Sequence, residues 1–389
     1  MLSDSPQPSG KLCNPGVVTM HVVHVMTRLA GGGSEENTFA TCRWQIAHGL
    51  RVTLIHGGPA QPVPGIDTVA LPELVHRVRL GTDLAAMRGL AELYDTLRPD
   101  VVHTHQSKAG IVGRLAARGR RLRVVHGIHI VPFERVSPVK RHGYITAERL
   151  AARVTDTFLS VSQAAAGAFV KARIAMPGQM HVVRSGMDLA RFRTAVPPSD
   201  RLALTGPGFQ PVAVMLASLE PRKRHVPFLE AFARIRPEMR VVLAGEGPER
   251  ARIAATIARL GLGDRVVLAG HRPDPESLLA MADFSVLASE REGLPRVVIQ
   301  SLAAGTPVVS ADLPGLSEVL LDGVNGMVTP ADDLEGLVRA MSVLADRAPL
   351  RARLSRGAGA TDLSDWALDA LGARTTDLYS HSRPRWALA

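Results

Sequence analysis

The stretch from Val241 to Pro330 constrains the fold of this chain more than any other. It opens with VVLAGEGPER and continues through GHRPDPESLLAMADFSVLASEREGLPRVVIQSLAAGTPVVSADLPGLSEVLLDGVNGMVTP. Short apolar runs alternate with segments of helical period, and each run ends in a loop of Gly, Ser, Pro or acidic residues. Strands that alternate with helices in this way assemble as a parallel sheet covered on both faces. Such sheets bind ligands in the crevice outside the carboxyl ends of their strands. The loops that follow the apolar runs are therefore where chemistry is expected.

The first half repeats the plan. VVTMHVVHV is followed by a glycine loop and a helix start with Ser34 as a plausible N-cap. Further strands are expected at 51–55 (RVTLI), 101–105 (VVHTH), 123–128 (RVVHGI), 157–161 (TFLSV) and 180–183 (MHVV), separated by segments such as AGIVGRLAAR. The pattern breaks in RTAVPPSDRLALTGPGFQP, whose Pro and Gly content reads as a linker over 193–211. A second α/β unit restarts at VAVMLASL and runs over 212–365. With 389 residues two domains are the natural division, the first over 19–192. Residues 1–18 read as a disordered polar tail, with Met20 an alternative start, and 366–389 as a closing helix with Trp386 as a packing anchor.

Composition removes several classes of function. Two cysteines exclude a disulfide framework and a cysteine zinc site, and suit a reducing compartment. No apolar run is long enough to span a bilayer and the polar start lacks a signal-peptide core, so a cytoplasmic location is expected. The net charge is +10. Aromatics make up only 4% of the chain, too few for single-strand stacking platforms, which argues against nucleic acid. Arg114, Arg118, Arg120, Arg121, Arg123, Arg135, Lys140, Arg141, Arg149 and Arg153 crowd one region. They read as a patch facing an anionic membrane or as a solvated face.

Individual residues point further. Gly31, Gly32 and Gly33 would let backbone approach a diphosphate at a helix N-terminus, or simply make a tight turn. A dinucleotide fingerprint fails, because Glu36 replaces its third glycine and the second strand ends in His56-Gly57-Gly58 without a ribose-binding acid. Lys223, after the first strand of the second half, could neutralise a diphosphate leaving group, although alone it reads as a surface lysine. Pro295 suits the first turn of a helix, with Glu292 just before it. His103 and His105 form a His-x-His pair with no third metal ligand at a telling spacing, and the chain has no Asp-x-Asp.

Together, Glu292-Gly293-Leu294-Pro295 through Gln300, Lys223 in ASLEPRKRH, and the Gly245-Glu246-Gly247-Pro248 and Gly270-His271-Arg272-Pro273 turns resemble the family-4 retaining glycosyltransferases. These include bacterial enzymes that build polysaccharides and lipid-linked glycans. The resemblance covers roughly residues 19–380 and implies the GT-B architecture, two Rossmann-like parallel-sheet domains facing across a cleft. It implies transfer of a hexosyl group from a nucleotide sugar, expected to be UDP-linked, to a glycan or lipid-linked acceptor. No metal or other cofactor is implied, and the enzyme could sit peripherally on a membrane. By that resemblance Lys223 binds phosphate, and Glu292 contacts the donor sugar, with the amides near Gly293 and Leu294. Gln300 stands where the family has a ribose-binding glutamate, and Ser218 where it often has an arginine that Arg222 or Arg224 would replace. The loops at Glu246 and at His271 and Arg272 border the nucleotide. His129, with His126 as the alternative, takes the place of a histidine that contacts the sugar. His105 and Lys108 fall in a run near the acceptor. A nucleotide-sugar epimerase of the same fold and a non-catalytic glycan-binding protein are the competing readings.

Overall fold

The computed structural model describes residues 19–29, 33–59, 61–134, 136–207, 211–235, 237–292 and 295–381. The expected tail at 1–18, Gly31, Gly32, Arg135, Gly293, Leu294 and Trp386 lie outside them.

Two parallel sheets follow one another along the chain. The first contains β1 (His21–Met26), β2 (Arg51–His56), β3 (Asp67–Ala70), β4 (Val101–His105), β5 (Arg123–Ile128), β6 (Thr157–Ser160) and β7 (Met180–Val182). Their spatial order is β3-β2-β1-β4-β5-β6-β7. The second contains β8 (Val212–Leu216), β9 (Arg240–Ala244), β10 (Val266–Gly270), β11 (Phe284–Leu287), β12 (Val308–Ala311) and β13 (Gly326–Thr329), ordered β10-β9-β8-β11-β12-β13. In both, the chain starts near the middle, winds to one edge, then crosses back and winds to the other. The crossover after the third strand of each sheet leaves a switch point between β1 and β4 and between β8 and β11, at which a crevice opens. This is the doubly wound pair of sheets that the sequence pattern leads one to expect. Only β3 escapes the sequence reading: it is four residues long, sits at the sheet edge and is half exposed, so it lacks a buried apolar run.

Helices cover both faces. In the first half they are α1 (Gly33–Ala47), α2 (Leu80–Leu97), α3 (Ser107–Ala116), α4 (Pro138–Ala152), α5 (Gln163–Lys171) and α6 (Leu189–Arg193). A short α7 (Arg201–Thr205) lies inside the Pro- and Gly-rich stretch before β8. The second half adds α8 (His225–Ile235), α9 (Arg250–Arg259), α10 (Pro275–Met281), α11 (Arg296–Ala303), α12 (Leu334–Asp346) and α13 (Ala348–Gly359). The last helix, α14 (Leu368–His381), packs on α1 of the first half. Gly372 makes that approach possible, because a Cβ there would lie 2.2 Å from the Trp44 indole.

The largest apolar cluster joins β8, β9 and β11 to α8 and α12 through residues such as Phe228, Phe232, Val241, Phe284, Leu337 and Met341. In the first sheet the pleat divides β1 cleanly. Val23 and Val25 face the cluster with Leu90, Tyr94 and Val102, whereas Val22 joins Val101, Val125, Leu371 and Tyr379 on the other face. Further along that second face, towards the carboxyl ends of the strands, the apolar residues give way to histidines. The register sets His24 beside His103, and His105 beside Gly127.

Parts of the basic cluster are committed to protein partners, and one has left the surface. Arg114 is completely buried and paired with Glu148, while its Nε donates to the Gly110 carbonyl at 2.7 Å. Arg120 binds Asp95 through two nitrogens, at 2.7 and 2.6 Å. The Arg149 guanidinium donates to the Ala172 carbonyl at 2.7 Å. Arg118, Arg121, Lys140, Arg141, Arg149 and Arg153 are exposed, so the patch is narrower than the sequence run implies by the buried Arg114 and the half-buried Arg120 and Arg123.

Candidate functional site

The carboxyl end of β8 runs into a single 3-10 turn, Pro221–Lys223, which places Arg222 and Lys223 side by side. Arg224 ends the turn in the left-handed region at φ 59°. The Glu290 amide donates to the Arg222 carbonyl at 2.9 Å, tying this turn to the loop after β11. Glu292, on that loop, receives both cations. Lys223 Nζ pairs with Oε1, and Arg222 Nη1 donates to Oε2 at 3.1 Å. Arg222 Nε also binds Glu220 at 2.8 Å. Lys223 and Glu292 are each only 12% exposed, so their charges are weakly screened. Three of the residues singled out from sequence thus form one constellation at the mouth of the second sheet.

α11 starts just beyond, with Pro295 as its N-cap and Arg296 as its first residue. Gln300, one turn further along, is half-buried, and its side chain has no protein partner among the described residues. Arg296 was not anticipated. It leaves the second half and lies against the first. It binds Glu36 at 2.9 Å and donates to the Gly186 carbonyl at 3.3 Å. Gly33 admits it, since a Cβ there would come within 2.8 Å of Arg296 Cδ. A sequence signal existed: a cation in the first turn of a helix opposes the helix dipole and so calls for a partner.

Across the cleft, β5 carries His129 just past its end. His129 Nε2 lies 3.2 Å from His105 Nδ1. Burial, with the Arg296 charge adding to it, lowers the His129 pKa to about 4. His105 Nε2 in turn meets His24 Nδ1 at 2.9 Å, and His24 Nε2 meets Gln45 Oε1 at 3.0 Å. His126 points to the opposite face, bonded to Thr104 Oγ1 at 3.0 Å and buried with Phe158. Of the two histidines considered for the sugar, His129 is thus the one linked to this network. His24 and Gln45 could not be found from local spacing, because β1, α1 and β4 meet only in the folded sheet.

A cleft lies between the two halves, lined by Ile130, Val131, Glu134 and Ser162 from one side and Arg291, Glu292 and Pro314 from the other. Beside it Glu318 pairs with Arg184 and accepts from the Gln163 and Ala164 amides, both at 3.3 Å. The remaining candidates stand apart. Lys108 is held by Asp83 and by the Arg77 carbonyl, 3.1 Å away, which commits its ammonium to the α2 side. Glu246 is exposed and pairs with Arg250 at 2.9 Å. Arg272 is clamped by Asp200 and Asp274 at 2.6 and 2.8 Å, and its neighbour His271 is exposed.

Comparison with known proteins agrees with this arrangement. Residues 31–191 match the model described as Glycosyltransferase Family 4, and residues 203–360 match Glycosyl transferases group 1. The chain is 28% identical over 395 residues to D-inositol 3-phosphate glycosyltransferase of Streptosporangium roseum, covering 94% of this chain and 88% of that one. It is 27% identical over 291 residues to UDP-Gal:alpha-D-GlcNAc-diphosphoundecaprenol alpha-1,3-galactosyltransferase of Escherichia coli, covering 71% and 74%. Anabaena Alr3699/HepE, solved in complex with UDP, superimposes with a TM-score of 0.75 at 21% identity, over 93% of this chain and all of that one. Both halves, their order and their folds therefore lead to one conclusion: the chain belongs to the family-4 glycosyltransferases and has the two-domain GT-B fold.

Proposed function

We propose that the chain is a retaining glycosyltransferase that takes a UDP-activated sugar and passes it to a glycan or lipid-linked acceptor. The observation that carries this reading is the Lys223–Arg222–Glu292 constellation at the mouth of the second sheet. Two cations that share one carboxylate make a ready site for a diphosphate, which competes with Glu292 for them. Glu292 is then released to accept hydroxyl hydrogens of the sugar. Gln300 faces the ribose with one carbonyl acceptor where a carboxylate would offer two oxygens. A UDP donor and a lipid-linked acceptor are supported by the donor and acceptor in the name of the Escherichia coli relative and by the UDP bound to the Anabaena protein.

The anomeric carbon loses its bond to the diphosphate oxygen and gains one to the acceptor oxygen on the same face. The acceptor proton passes to the departing phosphate oxygen. The protein supplies position and charge rather than a covalent nucleophile. Lys223 and Arg222 stabilise the negative charge that grows on the diphosphate, so EDTA should leave transfer unchanged. Arg118, Arg121, Lys140 and Arg141 would hold the first half near an anionic membrane.

The test is a panel of UDP-sugars with simple glycan and lipid-diphosphate acceptors, read by NMR of the product linkage. An α-configured product from an α-linked donor supports the proposal. Inversion, or turnover only with a different nucleotide, refutes it.

A further inference from the structure

The hydrogen bonds beneath the cleft run in one direction. Burial lowers the pKa of His24 and His129 to about 4 and that of His103 and His105 well below the ordinary range, so all four rings are uncharged at neutral pH. A neutral imidazole has one N–H and one bare nitrogen, so each bond fixes the next. Gln45 Oε1 only accepts, and His24 Nε2 therefore carries its hydrogen. His24 Nδ1 is bare and accepts from His105 Nε2–H. His105 Nδ1 is bare in turn and accepts from His129 Nε2–H. His129 Nδ1 is left bare, without a donor among the described residues. From the other end of the amide, Gln45 Nε2 donates to Tyr379 Oη at 3.3 Å, and that hydroxyl lies 2.6 Å from His103 Nδ1. Gly127 gives the rings room, since a Cβ there would lie 3.0 Å from His105 Nδ1 and 3.4 Å from His129 Nε2.

We propose that Gln45 is a positioning residue for sugar transfer: through His24 and His105 it fixes the Nε2–H tautomer of His129 and leaves Nδ1 to accept from a sugar hydroxyl in the cleft. The proposal rests on the reading of His129 as a sugar contact. A metal centre fits the same rings less well. Three of them, His24, His103 and His105, bring ring nitrogens only within 4.8 Å of one another, and the group contains no carboxylate. Tetrahedral zinc at about 2.0 Å from each nitrogen needs them about 3.3 Å apart. A dication buried among neutral rings with no anion beside it carries a heavy desolvation cost.

The experiment is nitrogen NMR of the full chain labelled at histidine, where the shifts of Nδ1 and Nε2 separate bare from protonated nitrogen. The His129 signals are assigned by their loss in His129→Phe. Wild type should show a bare Nδ1 and a protonated Nε2 at His129. Gln45→Met removes the acceptor that sets the chain of bonds. It should turn His129 into a tautomer mixture and lower kcat about tenfold for whichever UDP-sugar the wild type uses, with little change in KM. Gln45→Glu still offers only acceptor oxygens to His24 and should keep the wild-type His129 pattern. Melting temperatures establish that both variants are folded. An unchanged His129 pattern in folded Gln45→Met overturns the proposal. So does a stoichiometric transition metal in the purified protein that disappears in His24→Phe. The NMR is read without substrate, so it tests the relay alone. Failure of the wild type to use any UDP-sugar would instead refute the donor assignment.

Discussion

The two halves share a topology but build their share of the cleft in opposite ways. The second half presents ionised side chains on loops: Lys223, Arg222 and Glu292 lie within a few residues of strand ends and remain partly open to solvent. The first half presents neutral rings on the sheet itself, with His24, His103 and His105 almost wholly buried and His129, next to the cleft residue Ile130, half-buried. On the proposed function, the difference matches what each side would hold. A diphosphate is best held by charge, and a sugar is best held by hydrogen bonds of fixed direction. Ion pairs join the two, among them Arg296 of the second half with Glu36 of the first and Arg184 of the first with Glu318 of the second.

The comparison breaks most easily at Lys223. Lys223→Ala should lower kcat/KM by about 10²–10³-fold, the scale of losing one preorganised charge at a leaving group. Steady-state kinetics with the preferred donor would show it, and near-normal activity would move the grip elsewhere. Arg296→Ala removes the only cation described here that reaches from the second half to Gly33. Donor KM should rise about tenfold, roughly the 1.5 kcal/mol of a charge-assisted hydrogen bond.

The neutral face of the first half should make the protein sensitive to acid. Unfolded, these rings take up a proton near pH 6.5, whereas folded His24 and His129 do so only near 4. Between those values the unfolded chain holds more protons, so stability falls as pH drops through the window and levels off below it. Each such ring contributes up to about 1.4 kcal/mol per pH unit. Melting temperatures should therefore fall steeply from pH 6.5 to 5, and a flat profile would contradict the buried neutral network. The smallest effect is expected at Gln300. Gln300→Glu restores a carboxylate and should tighten UDP binding by a few-fold, about 1 kcal/mol, because ionised acceptors bind hydroxyls more strongly. Loss of UDP binding would mean that the site is built around the amide.

How much of this was legible in the sequence depends on the range of the interactions involved. The parallel sheets follow from apolar runs and helical periods, which are local. Lys223 and Glu292 were legible because each sits in a loop whose neighbours carry a recognisable pattern. Lys108 was a further candidate, for the acceptor or the diphosphate, but its ammonium is held by Asp83 on another helix. Arg114 counted towards a basic surface until Glu148, 34 residues away, drew it into the core. The histidine relay was the least legible part. Its members come from β1, α1, β4, β5 and α14, and only strand register brings them into line. His-x-His on β4 was noticed, but the ring that completes the set comes from β1, with no spacing rule to announce it.

On the proposed function, charge in the second half holds the nucleotide while neutral rings in the first half direct the sugar. Calorimetry separates the two most directly, with UDP and with the intact donor titrated into wild type, Lys223→Ala and His129→Ala. Lys223→Ala should weaken both ligands by about tenfold or more. His129→Ala should bind UDP as wild type does and lose affinity only for the donor. If His129→Ala weakens UDP as much as Lys223→Ala does, or if Lys223→Ala leaves UDP binding intact, the division of labour between the halves is wrong.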